Sequence, residues 1–148
     1  MSDESELSTR KESLARDITA LNGKMKALEK EIEELKAKID TLNSLKDSIS
    51  AYQSNLVSAS SELGVAYTNF FRVYKSDFAV KKHNELSAIK GELDGTTSSL
   101  RKAGDEADKQ IKNKMDELEK KEKELRDMKN NLDSLNSELH GVMRRLNH

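Results

Sequence analysis

Proline and cysteine are both absent from the 148 residues of this chain. Without proline, the sequence lacks the residue that most often breaks a helix, so very long helices are permitted. Without cysteine, the chain can form neither disulfides nor thiolate metal sites, and it gives no information about the redox compartment. These absences exclude the disulfide-stapled and zinc–thiolate classes of protein.

Apolar and aromatic residues are scarce. They make up 34% and 4% of the chain, while charged residues make up 36%. An ordinary globular domain is nearly half apolar and one quarter charged. A stable fold with so few apolar residues needs a geometry such as the coiled-coil seam, which uses about two positions in every seven. Because the apolar residues are regularly spaced and the net charge is only −1, we predict a coiled coil rather than disorder.

Long apolar runs are also missing. The first ten residues, MSDESELSTR, are acidic and polar, and no apolar segment follows them. The sequence therefore predicts neither a cleaved signal peptide nor a membrane span, and we expect a cytoplasmic protein. Export by a route that reads a folded helical signal stays open. Charges of both signs are interspersed, so no basic stripe for nucleic acid is present.

The strongest positive signal is a heptad pattern in the first third of the chain. Its members alternate in spacing between four and three, with Leu at every d position and Ile or Met at every a position. They are Leu14, Ile18, Leu21, Met25, Leu28, Ile32, Leu35, Ile39 and Leu42. Thr9 and Glu12 fit a capping box, so we expect the helix to begin at Thr9, with a start near Asp3 as the alternative.

The spacing changes after this series. Leu45, Ile49, Tyr52 and Leu56 continue it with two successive steps of three, which indicates a stammer. Residues 50–62 are then rich in serine and alanine and carry little charge. We expect this segment to be a weak part of the first helix.

Five of the six aromatic residues lie between positions 67 and 78, at the middle of the chain. They are Tyr67, Phe70, Phe71, Tyr74 and Phe78. We interpret them as the bend and capping core of a helical hairpin, with Phe71 left exposed. Residues 74–77 form the predicted bend, and Ser76 is a good N-cap for a second helix. Residues 94–99, DGTTSS, are the alternative bend; their turn chemistry is better, but the resulting arms would be unequal.

The fold class predicted from these patterns is all-α: a long antiparallel two-helix coiled-coil hairpin with its bend near residues 74–78. One domain covers residues 1–148, with arm one at about 9–73 and arm two at about 78–146.

Folding at Ser76 brings residue i close to residue 152 − i. The stammer then faces a second irregularity on arm two, a series with successive spacings of four. Its members are Ala103, Ala107, Ile111 and Met115. Beyond it, arm two regains a regular apolar series from Leu118 to Leu146. Gly91 and Gly95 share one helix face and mark either close approach of a partner helix or a flexible waist.

Residues that could carry chemistry are not grouped in the sequence. None of His83, His140 and His148 has a second histidine at ligand spacing, and we expect all three on the surface. The glycines are isolated, so no phosphate-binding loop is present. Carboxylates alternate with lysines, which makes a buried acid–base pair improbable. We predict no catalytic, cofactor-binding or metal site, and a protein that is not an enzyme.

Tyr74-Lys75-Ser76 places an aromatic and a small residue at mid-chain, followed by Phe78 and a charged helix. In this respect the chain resembles the WXG-type helical hairpins of bacterial type VII secretion, and especially their longer YwqH-like relatives. Tyr74 and Ser76 stand where the family has Trp-x-Gly. The resemblance implies a helper that binds the helical domain of an LXG-type toxin.

The chain also departs from the family pattern. It contains no tryptophan, and no aromatic residue follows Phe78. The family's export signal, an aromatic residue followed four positions later by an acid near the end of the second helix, is therefore missing. The resemblance then implies a chaperone or adaptor without its own export signal.

Two functions from different classes remain. The first is a binding module that pairs with the helices of another protein. Its candidate contact residues are Tyr67, Phe70, Phe71, Tyr74, Ser76 and Phe78 at the bend, with Gly91 and Gly95 at the waist. The alternative is a structural coiled-coil homodimer, because Ile at a with Leu at d favours parallel dimers. Neither function requires a cofactor.

Overall fold

Two long helices make up the protein. The computed structural model describes the backbone of residues 2–73 and 77–147, and their side chains except those of Ser2 and residues 77–79. Helix α1 spans Ser2–Val73 and helix α2 spans Asp77–Leu146. The two helices pack against each other, and the described residues contain no strand. The predicted all-α helical hairpin is therefore confirmed.

Helix α1 begins earlier than its capping pattern predicted. It is already helical at Ser2, so Thr9 is an interior residue and the proposed capping box is wrong. Asp3 and Glu4 lie in the first turn. Negative charge there interacts favourably with the unpaired amides at a helix N-terminus, which explains how the helix begins without Thr9.

The end of α1 and the start of α2 bracket the predicted bend. Tyr74 and Ser76 lie outside the described residues, as does the side chain of Phe78. Residues 94–99 are helical throughout, so the alternative bend is wrong. Thr96 and Thr97 donate their hydroxyl hydrogen bonds to the carbonyls of Glu92 and Leu93, both at 2.9 Å. These bonds satisfy the turn-forming residues inside a continuous helix.

The packed residues divide into two compact units. The terminal unit comprises Met1–Ile39 and Lys114–His148, and the central unit comprises Asp40–Asn113. Each unit contains a segment of both helices.

The terminal unit is built on the predicted heptad seam. From α1, the buried residues are Leu14, Met25, Leu28, Ile32, Leu35 and Ile39, each no more than 9% exposed. From α2, Val142 is buried, and the half-buried residues are Leu118, Leu125, Met128, Leu132, Leu135, Leu139 and Leu146. Lys121 Nζ donates to Glu31 Oε2 at 2.8 Å, and Arg10 Nε donates to Glu138 Oε1 at 2.9 Å. The pairing of residues 31 and 121 agrees with the predicted antiparallel register.

The central unit keeps the same heptad phase, so the predicted stammer is wrong. Leu45 and Tyr52 are 50% and 66% exposed, whereas Ile49 is buried. The a positions that follow Ile39 are occupied by polar residues, namely Lys46, Gln53 and Ser60. The apolar spacing changes because these residues replace aliphatic ones, and the seam itself continues through them to Tyr67.

The irregularity predicted on α2 is also wrong. Ala103 is exposed, while Ala107 is buried in the central unit. Met115, which belongs to the terminal unit, is 55% exposed. The seam of α2 passes through Gly104, where an added Cβ would lie 3.6 Å from Cγ2 of Ile49. The a positions of α2 in the central unit are polar or small until Ile111: His83, Lys90, Thr97 and Gly104.

Candidate helix-docking site

Exposed apolar side chains are concentrated in the central unit. Among the large apolar residues that the structure shows exposed, eight belong to this unit and two, Met115 and Met143, to the terminal unit. The eight are Leu45, Tyr52, Val57, Val65, Phe71, Val73, Val80 and Ile89. The central unit thus combines polar groups in its seam with apolar groups on its surface. Apolar surface that is concentrated in one region of a protein can mark an interaction site.

Seven of these side chains fall on two faces, one on each side of the a and d seam, and Val65, at an f position, borders the first of them. We call the first the e face, after the e positions Val57, Gly64 and Phe71 of α1 and Val80 and Asp94 of α2. The second is the g face. Its large apolar members are Leu45, Tyr52 and Val73 at g positions of α1 and Ile89 at a g position of α2.

An open groove of about 620 Å³ lies along the e face between the two helices. Small residues on α1 create its width, and a Cβ added at Gly64 would meet nothing within 4 Å. Ser60 Oγ donates a hydrogen bond to Asp94 Oδ1 across the groove at 3.0 Å. The lining residues are Val57, Ser60, Ser61, Gly64, Val65, Thr68, Asn69, Lys90, Asp94 and Thr97.

A ring cluster of Tyr67, Phe71 and His83 forms the aromatic part of the central unit. The Tyr67 ring centroid lies 4.5 Å from that of His83 and 5.8 Å from that of Phe71. The Tyr67 hydroxyl and His83 Nε2 are 3.4 Å apart. Within the part of the chain that the structure describes, the buried Nδ1 of His83 has no hydrogen-bond partner.

The structure brings together two of the predicted bend residues and adds one that sequence reasoning missed. His83 was expected on the surface, but it occupies an a position and stacks on Tyr67. Its spacing of three from Leu86, continued through the heptads of α2, was the signal that could have found it. Phe70 is half-buried at a d position, and Phe71 is 39% exposed.

The two waist glycines do not lie in the seam. Gly91 and Gly95 are exposed on α2, and a Cβ added at either would meet nothing within 4 Å. Neither position therefore requires a glycine for close approach between α1 and α2.

A lysine is accommodated in the seam of the central unit by an ion pair. Lys46 occupies an a position, and its Nζ lies 2.6 Å from Asp108 Oδ1. The hydrogen bond to Asp108, reinforced by its charge, raises the pKa of Lys46 above the ordinary value of 10.5. The lysine stem can follow the apolar surface while its ammonium group stays in water beside the carboxylate.

Within residues 2–73 and 77–147, no group of three or more His, Asp or Glu residues is placed to hold a metal ion. No described helix combines the length and apolar character needed to cross a bilayer.

Comparison with known proteins gives no match: no protein-family model, no curated protein and no solved structure is significantly similar to this chain. The structure itself defines the class, an all-α helical hairpin. Within it, the candidate functional surface is the apolar exterior of the central unit.

Proposed function

We propose that this protein is a non-enzymatic binding module that associates with a helix of a different protein through the e face of its central unit. The observation that carries the proposal is the open groove beside Val57 and Val65, which are 54% and 59% exposed. A two-helix hairpin buries only one stripe of each helix, so its outer faces can accept further helices, as in helical bundles.

The side chains of the groove suit a helical partner. Gly64 and Ser61 leave the backbone of α1 accessible, and small residues at an interface let another helix approach closely. Val57 and Val65 then contact the partner's apolar side chains. Removing the exposed parts of both valines from water would contribute about 2 kcal/mol to binding. Lys90 and Asp94 at the groove provide one donor and one acceptor for orientation.

The polar seam of the central unit supports the same function. Lys46, Gln53 and Ser60 replace aliphatic residues, so this unit gains less from packing than a fully apolar seam would give. Segments with few buried apolar contacts open at low free-energy cost. A partner that orders such a segment binds with less affinity per unit area, but a long contact compensates.

A more specific setting follows from the bend residues. Tyr74, Ser76 and Phe78 resemble the mid-chain motif of WXG-type hairpins, and this resemblance supports a role as chaperone or adaptor for an LXG-type toxin in type VII secretion. The partner helix would then belong to the helical domain of the toxin. In this setting the protein acts in the bacterial cytoplasm, and export would occur without a cleaved signal peptide.

The structural homodimer is the competing function. A parallel coiled coil would use the a and d seam of α1, which α2 covers in the hairpin. The competition between α2 and a second α1 for one seam therefore favours the binding module.

Filling the groove tests the proposal. Gly64→Leu places a side chain in open space, so the helix should form normally while the groove is blocked. Gly95→Leu is the matched control, because Gly95 is equally helical and open but lies outside the groove lining. The ligand in the test is the helical domain of an LXG-type toxin from the same genome, and binding is measured by titration calorimetry. We expect Gly64→Leu to weaken this binding at least about tenfold, or 1.4 kcal/mol. Gly95→Leu should leave it unchanged.

Hydrogen exchange provides a second readout. Amides in residues 50–62 of α1, and in residues 90–102 of α2 that face them in the register i to 152 − i, should exchange fast in the free protein and slow together when the toxin domain is added. Equal affinities for the two leucine variants would refute the e-face site. If no helical partner, toxin domain included, binds the purified protein, the binding-module function is wrong.

A further inference from the structure

The g face of the central unit carries a row of apolar residues that the e-face groove does not use. On α1 the row occupies every g position and all its members are exposed: Leu45, Tyr52, Ala59, Ala66 and Val73. In the terminal unit, the g positions of the same helix are charged: Arg10, Asp17, Lys24, Glu31 and Lys38. The apolar row is therefore specific to the central unit.

Both helices contribute to the g face. The e positions Gly64 and Asp94, one from each helix, line the same groove, so the g positions of the two helices share the opposite side. There α2 presents Ile89, which is 47% exposed, followed by Thr96 and Ala103. The result is an apolar strip that neither helix of the hairpin covers.

We propose that this strip binds the same strip of a second copy of the chain, with the two α1 helices antiparallel and the two-fold axis at Ala59. A symmetric contact requires a self-complementary surface, and the residue sizes in the row satisfy this. With the axis at Ala59, Tyr52 lies opposite Ala66 of the second copy, and Leu45 lies opposite its Val73. The large Tyr52 side chain thus meets a small alanine, and two medium-sized aliphatic side chains meet each other, which suits close packing.

The charges beside the row are compatible with a second copy. The c positions that flank it on α1 are polar and, apart from Glu62, uncharged. In the symmetric arrangement Glu62 lies opposite Asn55 of the second copy, so no like charges meet along α1. On α2, Glu92 lies at the rim close to the two-fold axis, where it would approach Glu92 of the second copy, whereas Glu85 lies farther from the axis and pairs with Lys82 at 3.1 Å. Association should therefore strengthen with salt, because salt screens this repulsion.

The area of the strip is sufficient for a weak dimer. Tyr52, Val73, Leu45 and Ile89 are 66%, 69%, 50% and 47% exposed. Together with the three alanines, they offer on the order of 500 Å² per chain, or about 1,000 Å² for two copies, which is the lower bound for a specific interface. We expect a reversible, concentration-dependent dimer.

This self-association goes beyond the proposed partner groove and uses the opposite face. Dimerisation and partner binding can therefore be tested separately, and failure of one leaves the other intact.

The absence of cysteine makes a crosslinking test direct. Ala59→Cys introduces one thiol beside the two-fold axis, and mild oxidation should join two copies through it. Ser58→Cys is the matched control: residue 58 is also exposed but points about 100° away around the helix. We expect at least about fivefold more disulfide dimer from Ala59→Cys at equal helicity.

Sedimentation equilibrium on the full chain tests the same contact without crosslinking. The unmodified protein should shift from monomer to dimer between about 1 and 500 μM, and more readily at high salt. Tyr52→Glu, at an exposed site that folding does not require, should weaken this association at least about tenfold. Val57→Glu, on the e face, should leave it unchanged.

Several outcomes would overturn the proposal. A protein that stays monomeric throughout this range has no such contact. Equal crosslinking at positions 58 and 59 would indicate random collision. A dimer lost in Val57→Glu but kept in Tyr52→Glu would use the e face instead. Association that weakens with salt would instead indicate an interface held by opposite charges.

Discussion

Gly104 offers a direct test of the heptad phase in the central unit. It occupies an a position of α2, and a Cβ added there would lie 3.6 Å from Cγ2 of Ile49, an ordinary van der Waals distance. We expect Gly104→Ala to stabilise the central unit, because the new methyl group fills space beside a buried side chain without strain.

The expected gain has two parts that a control separates. Replacing a helical glycine by alanine contributes about 1 kcal/mol, and burying one methyl group adds about 0.8 kcal/mol. Gly95→Ala should show only the first part, because a Cβ at Gly95 meets nothing within 4 Å. In an Ile49→Ala background, the extra gain at Gly104 should shrink while the gain at Gly95 persists, since only Gly104 contacts Ile49.

Urea unfolding followed by helical circular dichroism measures these differences, provided the slope of the transition is unchanged among variants. Hydrogen exchange of central-unit amides reports the same change locally. The heptad phase would be refuted if Gly104→Ala destabilised the protein. The assigned heptad phase would also be wrong if Gly104→Ala and Gly95→Ala raised the free energy of unfolding equally and neither gain depended on Ile49. The stammer would then describe this region better.

Three further predictions concern other parts of the fold. Leu28→Ala, at a site only 6% exposed, should lower the free energy of unfolding in urea by about 3 kcal/mol. Met115→Ala, at an exposed site, should change it by less than about 0.5 kcal/mol. Equal losses for the two variants would place Met115 in the seam. Spin labels at residues 28 and 124 should be close within one chain in samples diluted with unlabelled protein, and a long intramolecular distance would contradict the antiparallel pairing. The pKa of Lys46, followed by NMR, should exceed 10.5 and fall in Asp108→Asn. Because the pKa of Lys46 is higher in the folded state, stabilisation by the Lys46–Asp108 pair is complete below pH 10.5 and is lost as the pH rises through the folded-state pKa. An unaltered Lys46 titration in Asp108→Asn would contradict the ion pair.

The fold was predictable where aliphatic residues fill every a and d position. From Leu14 to Leu42 the spacing determines both the helix and its buried face, and these residues form the core of the terminal unit. The prediction failed where the seam becomes polar. A search for apolar residues passes over Lys46 and Ser60 and selects Leu45 and Tyr52 instead, which creates a stammer that the helix does not have. Keeping the heptad phase constant through polar residues would have avoided the error.

The candidate site was less predictable than the fold, for a related reason. Which side of a helix is exposed depends on the phase of its seam, so an error of one position exchanges core and surface. Leu45 and Tyr52 were assigned to the core for this reason, and the seam position of His83 was missed. Tyr67 and Phe71 could be identified from aromatic clustering alone. The exposure of Phe71 was also predicted, whereas the stacking of Tyr67 on His83 required the structure.

The central segment of α1 contains two overlapping heptad series that share the same d residues. These d residues are Ile49, Leu56, Leu63 and Phe70, and together with the a positions they form the seam that faces α2. Combined with the g positions, the same residues form a more apolar series, from Leu45 to Val73. A sequence selected only to close a hairpin would place its apolar residues at a, because apolar groups at g remain in water and polar groups at a weaken the core. The opposite arrangement in the central unit would become favourable if another helix covered what the hairpin leaves exposed. The g positions of α1 in the terminal unit are charged, so we expect any such association to use the central unit.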